Sequence, residues 1–224
     1  MTFTMENPSP AYAKALDEAR EHQRAKKTWT GGLMERHLER IKALIDRTEA
    51  QSALDYGCGK CLQYLRPAPD GGSVDDYLGI PVFKMDPAMV PDYRVPPEMT
   101  ALLRGRPKPK IPSDLPEGTW DIVIVTHVLR TIPLVDLRDW VVPLLHERAN
   151  KAIFVTENLD VPHKTPFSNV DDKPKGWTAA EWMELLELPG SDVEVEAWFR
   201  GTPGNDPRVS GFKDSTFRRW PFEA

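Results

Sequence analysis

The chain has 224 residues, 40% of them hydrophobic and 28% charged, with a formal net charge of −5 and a pI near 5.6. That length suits one sizeable domain with modest insertions, and the composition is ordinary for a globular protein. Apolar runs such as Ile122 to Val125 are far too short to cross a bilayer, no secretory leader pattern is visible, and the acidic balance argues against a dedicated nucleic-acid binder. The expectation is a cytoplasmic protein with no membrane partner and with nucleic acid disfavoured as a partner. The one basic cluster, Arg104 to Lys110, is short and broken by Pro107 and Pro109, and reads as a solvated loop.

Residues Ala11 to Lys27 predict a polar helix, which Thr28-Trp29-Thr30-Gly31-Gly32 breaks. Leu33 to Asp46 resumes at helical spacing, with Leu33, His37, Ile41, Leu44 and Ile45 on one stripe. Residues 1–50 therefore read as a helical lead-in packing on a core domain that occupies 51–224. Ser52 to Tyr56 is a short apolar run ending in glycines, a first strand followed by a tight turn. A helix begins at Leu62 and is stopped early by Pro67. Val82 to Met85 is the second strand, ending at Asp86-Pro87. The many prolines from Pro87 to Pro116 predict neither a regular helix nor a central strand, but a long insertion or lid near 87–118.

Trp120 to Val125 has the continuous apolar character of a strand buried in a parallel sheet. Leu134 to Leu145 predicts a helix whose end Pro143 disturbs. Lys151 to Thr156 is another buried strand, and Leu159 to Gly176 a polar loop. Thr178-Ala179-Ala180-Glu181 is a capping box opening a helix through Glu187, on which Trp182 is expected in the core. Val193 to Phe199 alternates as a strand, with Ser210 to Trp220 as an antiparallel partner. Alternating strands and helices argue for an α/β fold: a Rossmann-like three-layer sandwich whose mostly parallel, seven-stranded sheet carries an antiparallel C-terminal strand.

In such sheets the ligand lies at the carboxyl ends of the strands, near the point where strand order reverses. The first such end reads Asp55-Tyr56-Gly57-Cys58-Gly59-Lys60-Cys61. Its two glycines permit a sharp turn and close approach of a ligand, and the helix that follows is expected to offer free N–H groups. Asp86 closes the second strand, where a carboxylate can accept both hydrogen bonds of a ribose diol; the alternative is an ordinary turn aspartate. Cys58 and Cys61 are the two cysteines of the chain. The pair lacks the further ligands that a zinc site needs, and no metal is expected.

Leu54-Asp55-Tyr56-Gly57-Cys58-Gly59 resembles the first motif of the class I S-adenosylmethionine-dependent methyltransferases. Val82 to Met89 resembles their second strand with its acidic end, Asp114 to Val123 the stretch entering their fourth strand, and His127 to Pro133 the segment after it. Trp29-Thr30-Gly31 and the Tyr-Gly-Cys-Gly-Lys run are similar to a bacterial and phage group within that family. The resemblance implies S-adenosylmethionine as cofactor. Gly57 and Gly59, with Tyr56 and Cys58 between and beside them, would pass under its methionine part, and Asp55 would hold its amino group. Asp86 would hold the ribose hydroxyls, Met85 and Pro87 would flank the adenine, and Asp114 and Leu115 would lie near the adenine edge. Thr126 and His127 would face the transferred methyl group or the substrate. Trp29 is either an aromatic lid on the cofactor or a fastening for the N-terminal helix.

Methyl transfer from a sulfonium needs positioning and, for an oxygen or nitrogen nucleophile, a base. His127 is the candidate catalytic residue; its alternative is a packed histidine. Glu157, Asn158 and His163 follow the next strand and could also reach the substrate, but each reads first as a structural or loop-exposed residue. The sequence departs from many relatives at Arg130-Thr131, where they carry Glu-His, and it lacks the signatures of the enzymes that methylate DNA bases. The leading expectation is transfer of a methyl group to an oxygen or nitrogen atom of a small-molecule or glycan acceptor. The alternatives are a cofactor-binding protein without transferase activity and a methyltransferase acting on nucleic acid or protein. A third glycine is missing after Gly59, which disfavours a nicotinamide-dependent oxidoreductase. Oligomeric state is open, a homodimer included.

Overall fold

Short, largely apolar runs that can bury both faces make the centre of the molecule. In the computed structural model, which describes residues 3–25, 34–159, 177–201 and 207–210, these runs are β1 (Ala53–Tyr56), β2 (Val82–Met85), β3 (Trp120–Thr126), β4 (Ala149–Asn158) and β5 (Glu194–Arg200). A two-residue β6 (Val209–Ser210) extends the edge. The sheet order is β2-β1-β3-β4-β5-β6 and every pairing is parallel. The expected seven strands with an antiparallel C-terminal member are thus corrected to six parallel strands among the described residues. Alternation marked Val193 to Phe199 as a strand but carries no direction, and β5 is placed parallel beside β4. Val209 and Ser210 pair parallel with Phe199 and Arg200; most of the expected strand to Trp220 lies outside the described residues.

Two cores form, one on each face of the sheet. Helix α2 (Leu38–Thr48) turns Leu38, Ile41, Leu44 and Ile45 inward, and with α3 (Val74–Leu78) it covers Ala53, Val82, Ile122, Ile124 and Phe154. The opposite core holds Leu54, Tyr56, Val123, Val125, Ile153 and Val155 under the helices of residues 134–148 and α7 (Ala179–Leu186). The strand period of two sends neighbouring residues to opposite faces. A third, smaller cluster lies around Leu62, Met89, Val90, Tyr93 and Met99.

The helix after β3 is irregular at the place the sequence indicates. It runs as α5 (Leu134–Asp136), a π-turn (Leu137–Val141) and α6 (Val142–Arg148). Pro143 has no N–H to give the carbonyl of Asp139, and its ring crowds that carbonyl; widening the preceding turn relieves both. The capping box at Thr178 and Glu181 is formed, and Trp182 is buried.

The proline-rich stretch differs from expectation. Residues 97–103 form α4 (Pro97–Leu103), with Pro97 in the first turn, where its missing N–H costs nothing. Met99 and Leu103, four residues apart, bury against the third cluster. This segment packs on the domain with a small core of its own and is not a plain lid. The helix expected from Leu62 is a four-residue 3-10 turn, Leu62–Leu65. The short helix α3, between β1 and β2, was not predicted; its five residues are too few to show a period, and Ser73 caps it.

Helix α1 (Pro10–Ala25) crosses the molecule near the carboxyl ends of the strands. At one end Ser9 donates through its N–H and its hydroxyl to Asp136, at 2.9 and 2.5 Å. At the other, the Arg94 N–H donates to the Gln23 carbonyl at 2.8 Å, and Arg24 pairs with Asp92 at 3.1 Å. Among the described residues no helix is long and apolar enough to cross a membrane.

Candidate functional site

Strand order reverses at β1, because the chain leaves it for β2 on one side and returns to β3 on the other. The crevice between the ends of β1 and β3 is therefore the place where an open parallel sheet takes a ligand. Gly57 and Gly59 occupy it with φ of 80° and 58°, values that glycine adopts without strain. The turn is held shut from below: the N–H groups of Gly57 and Cys58 donate to the Met85 carbonyl at 2.8 and 3.0 Å. The Gly59 N–H donates to Asp86 Oδ2 at 2.9 Å, and Ala88 N–H to Oδ1 at 2.8 Å. Those amides are committed, and Cys61 N–H bonds back to the Cys58 carbonyl at 3.3 Å. The expected donation from a following helix N-terminus is absent, since the residues after Cys61 make only a short 3-10 turn.

Gly57 is demanded by packing as well. A Cβ built there would stand 2.3 Å from Cγ2 of Val128, so the segment after β3 closes directly onto the glycine turn. Asp55 points to the α2 side of the sheet and is fully buried. Its Oδ2 accepts from Gln63 Nε2 at 3.1 Å and Tyr64 Oη at 2.9 Å, while Oδ1 has no hydrogen-bond partner. Burial raises its pKa to about 7 against the lowering effect of those two bonds. A buried carboxylate oxygen without a donor can accept a hydrogen bond from a ligand group or carry the proton itself. Burial also raises Asp86, while the two backbone N–H groups that it accepts oppose the shift.

The other expected contacts group unevenly. Tyr56 faces away from Asp55, hydrogen-bonds Tyr12 of α1, and is buried, which pushes its phenol up. Met85 is buried beneath the turn, and Pro87 follows Asp86 at the strand exit, partly exposed. Asp86 N–H donates to the Pro112 carbonyl at 3.1 Å, which brings the stretch with Asp114 and Leu115 toward the end of β2. Leu115 packs on the core, whereas Asp114 is exposed. Cys58 and Cys61 are buried thiols 3.2 Å apart, and burial raises the Cys58 pKa, so it is no reactive thiolate. Trp29 and His163 lie outside the described residues.

Thr126 ends β3, and His127 follows with φ of 57°, a left-handed conformation uncommon for a side-chain-bearing residue. The turn parts the two neighbours. Val128 goes to Gly57, while the His127 ring goes to the α2 side, with its centroid 6.2 Å from the ring of His37. Burial, then the neighbouring His37 and the positive groups Arg130, Arg36 and Arg200, hold the His127 pKa well below the usual histidine value. Burial, with Arg40 and Arg36, takes His37 down to about 3. Both rings are neutral near pH 7, and Nδ1 of His127 is buried without a hydrogen-bond partner.

These histidines line a narrow cleft with Arg36 in the 3-10 turn before α2, Arg40 in the first turn of α2, Thr156 and Glu157 at the end of β4, and Trp198 to Arg200 at the end of β5. Glu157 is fully buried, accepts the Arg130 N–H at 3.3 Å, and faces the Arg130 guanidinium at 3.5 Å. Its pKa rises to about 7, chiefly through burial. The departure at Arg130 thus has a structural role, balancing a buried carboxylate. The sequence marked His127 and Glu157 but missed His37, Arg36, Arg40, Thr156, Trp198 and Arg200. The one signal available was His37 on the apolar stripe of its helix.

No protein-family model and no curated protein matches the chain. One solved structure, "PigF with SAH", is similar over 81% of this chain and 63% of its own length, at 14% identity and a TM-score of 0.31. At that level the likeness identifies neither a cofactor nor an acceptor. The functional reading rests on the strand-end residues themselves.

Proposed function

We propose that the chain binds S-adenosylmethionine at the carboxyl ends of β1 and β2 and transfers its methyl group to an oxygen or nitrogen atom of a small-molecule or glycan acceptor. The observation that carries this reading is the pairing of Asp55 and Asp86 around the Gly57–Gly59 turn at the reversal point, with a buried Asp55 oxygen lacking any donor. Asp55 Oδ1 would take the cofactor's amino group. Asp86, each of whose oxygens keeps a lone pair beyond its backbone N–H, would take the ribose hydroxyls. Glycine at 57 and 59 keeps the turn free of side chains. When bound, the cofactor supplies an electrophilic methyl group; the protein supplies position and a proton acceptor. His127 is suited to the second task because its ring is neutral and its Nδ1 is uncommitted.

A binder without transferase activity is the second reading. It is favoured by the state of His127, whose buried ring lies against His37 and whose pKa is held well below the usual histidine value, which makes it a weak base. Release of S-adenosylhomocysteine across a panel of acceptors separates the two. Calorimetry with S-adenosylmethionine and S-adenosylhomocysteine tests their shared claim. Micromolar affinity is expected for the wild type, weakened at least about tenfold in Asp86→Ala by loss of the charge-assisted bonds. No binding by the wild type would remove the proposal, and equal affinity in both proteins would remove Asp86 from the site.

A further inference from the structure

We propose that Cys58 and Cys61 form a reversible thiol–disulfide pair, oxidised by a small peroxide, whose closure draws the glycine turn off Asp86. Formation of the disulfide stands by itself; its effect on nucleoside binding rests on the function proposed above.

The first ground is placement. Cys58 and Cys61 are the two cysteines of the chain, so each is the other's one possible partner within it. The Cys61 thiol donates to Cys58 Sγ at 3.2 Å. The backbone closes the same gap, because the Cys61 N–H donates to the Cys58 carbonyl at 3.3 Å. A turn with that bond holds its first and fourth Cα atoms within about 7 Å, the span that a disulfide bridges. Two sulfurs held in contact react with each other in preference to separate thiols.

The second ground is backbone conformation. Cys61 adopts φ of 58°, in the left-handed region that side-chain-bearing residues seldom enter. Such outliers gather where a function uses them. The third ground is that nothing else employs the sulfurs. Among the described residues no group of three His, Cys, Asp or Glu side chains forms a metal site, and the cofactor reading gives neither thiol a task.

The turn links oxidation to Asp86. A disulfide needs its sulfurs about 2.05 Å apart, so they must approach by roughly 1 Å. Both ends of the turn are anchored, Cys58 by its N–H to the Met85 carbonyl at 3.0 Å and Cys61 by its carbonyl to the Tyr64 N–H at 3.1 Å. The displacement falls on Gly59 and Lys60 between them. Glycine yields most readily, and the Gly59 N–H is the group that donates to Asp86 Oδ2 at 2.9 Å. A shift of that size carries it beyond hydrogen-bonding range.

The thiols are 1% and 2% exposed, which favours hydrogen peroxide, scarcely larger than water, over bulkier oxidants. One thiolate attacks a peroxide oxygen, the O–O bond breaks, hydroxide leaves and a sulfenic acid forms. The second thiol attacks that sulfur, the S–S bond forms, and the sulfenyl oxygen leaves as water with the thiol proton. Two thiols and one hydrogen peroxide give one disulfide and two waters. Burial holds the Cys58 thiol protonated at neutral pH, so the reaction is slow there and quickens as pH rises.

The test treats the whole reduced protein with a small excess of hydrogen peroxide at neutral and at mildly alkaline pH. Loss of both titratable thiols is expected, with an intact mass lower by two hydrogens and full reversal by dithiothreitol. The Gly59 amide signal in nitrogen–proton spectra should move on oxidation and exchange faster with solvent. Affinity for S-adenosylhomocysteine should fall at least about tenfold in the oxidised protein and return on reduction. Cys61→Ser should lose no hydrogens and should keep its Gly59 signal under peroxide; if that variant does not fold, the wild-type mass and thiol count decide. Two thiols that persist at both pH values, or a mass that gains oxygen without losing hydrogens, overturn the proposal. A disulfide that leaves the Gly59 amide in place overturns the displacement. Reduced protein that binds no S-adenosylhomocysteine overturns the cofactor reading, while the mass and the Gly59 signal still judge the thiol pair. Equal nucleoside affinity in both redox forms overturns the link to binding alone.

Discussion

Gly57 is fixed twice over, by a backbone φ of 80° and by Val128 pressing on the position a Cβ would take. Gly57→Ala should cost about 2–4 kcal/mol, combining overpacking with a strained left-handed residue. In a Val128→Ala background the same change should cost less, by about 1 kcal/mol or more, in a double-mutant cycle read by denaturant unfolding. Equal costs in both backgrounds would mean that the contact is not the source. Asp55 gives a second test at this scale. Its folded pKa, about 7, lies above an unfolded value near 4, so between those limits the folded state holds the extra proton. That contribution to stability is present below pH 4 and is lost as pH rises toward 7. His37 works the other way: its folded pKa of about 3 lies below the usual value, so stability is gained as pH rises from 3 to 6.5. The wild-type profile should therefore be shallow through this range. Stability of Asp55→Asn relative to wild type should climb from pH 4 to 7 by about 2–4 kcal/mol. A pH-independent difference would show that Asp55 titrates normally.

At the level of single elements, local chemistry explains most of what forms. Thr178 accepts the Glu181 N–H at 3.2 Å, and the Glu181 carboxylate accepts the Thr178 N–H at 2.8 Å, so α7 starts where the capping box dictates. Thr178→Ala should destabilise the protein by about 0.5–2 kcal/mol in thermal or denaturant unfolding. An unchanged midpoint would show that tertiary packing of Trp182 alone holds the helix start. The π-turn before Pro143 follows from one missing N–H. Helix α4 shows where local reading falls short. Prolines at 91, 96, 97, 107, 109 and 112 suggest an irregular stretch, but the gap between Pro97 and Pro107 is long enough for two turns. A place to bury Met99 and Leu103 then decides that they form.

Across the whole molecule, α1 is tied at both ends of the carboxyl edge, and Asp136 is the strongest tie. It is fully buried and accepts from the Ser9 N–H, the Ser9 hydroxyl and Trp140 Nε1. Asp136→Ala would leave three donors without their acceptor. It should destabilise the fold by about 3 kcal/mol and speed amide exchange through α1 more than through β3. Exchange that rises equally everywhere would show that α1 is not a separable unit. Because Tyr12 of α1 reaches Tyr56 beside the glycine turn, loosening α1 should also weaken nucleoside binding.

The sequence by itself determined the alternation of strands and helices, the capping box, the proline disturbance and the Asp55–Gly57–Gly59–Asp86 constellation. Each of these depends on residues within one element or one turn, where periodicity and backbone preference act directly. Tertiary structure decided strand direction at the C-terminal edge, because alternation is the same for either direction. It also showed that Asp86 and Val128 close the glycine turn, and that His127 leaves that turn for the α2 face. The cleft of Arg36, Arg40, Thr156, Glu157 and Arg200 exists only because the order β1-β3-β4-β5 stacks consecutive strand ends beside the start of α2. Residues more than a hundred positions apart meet there through sheet register, which no local pattern encodes.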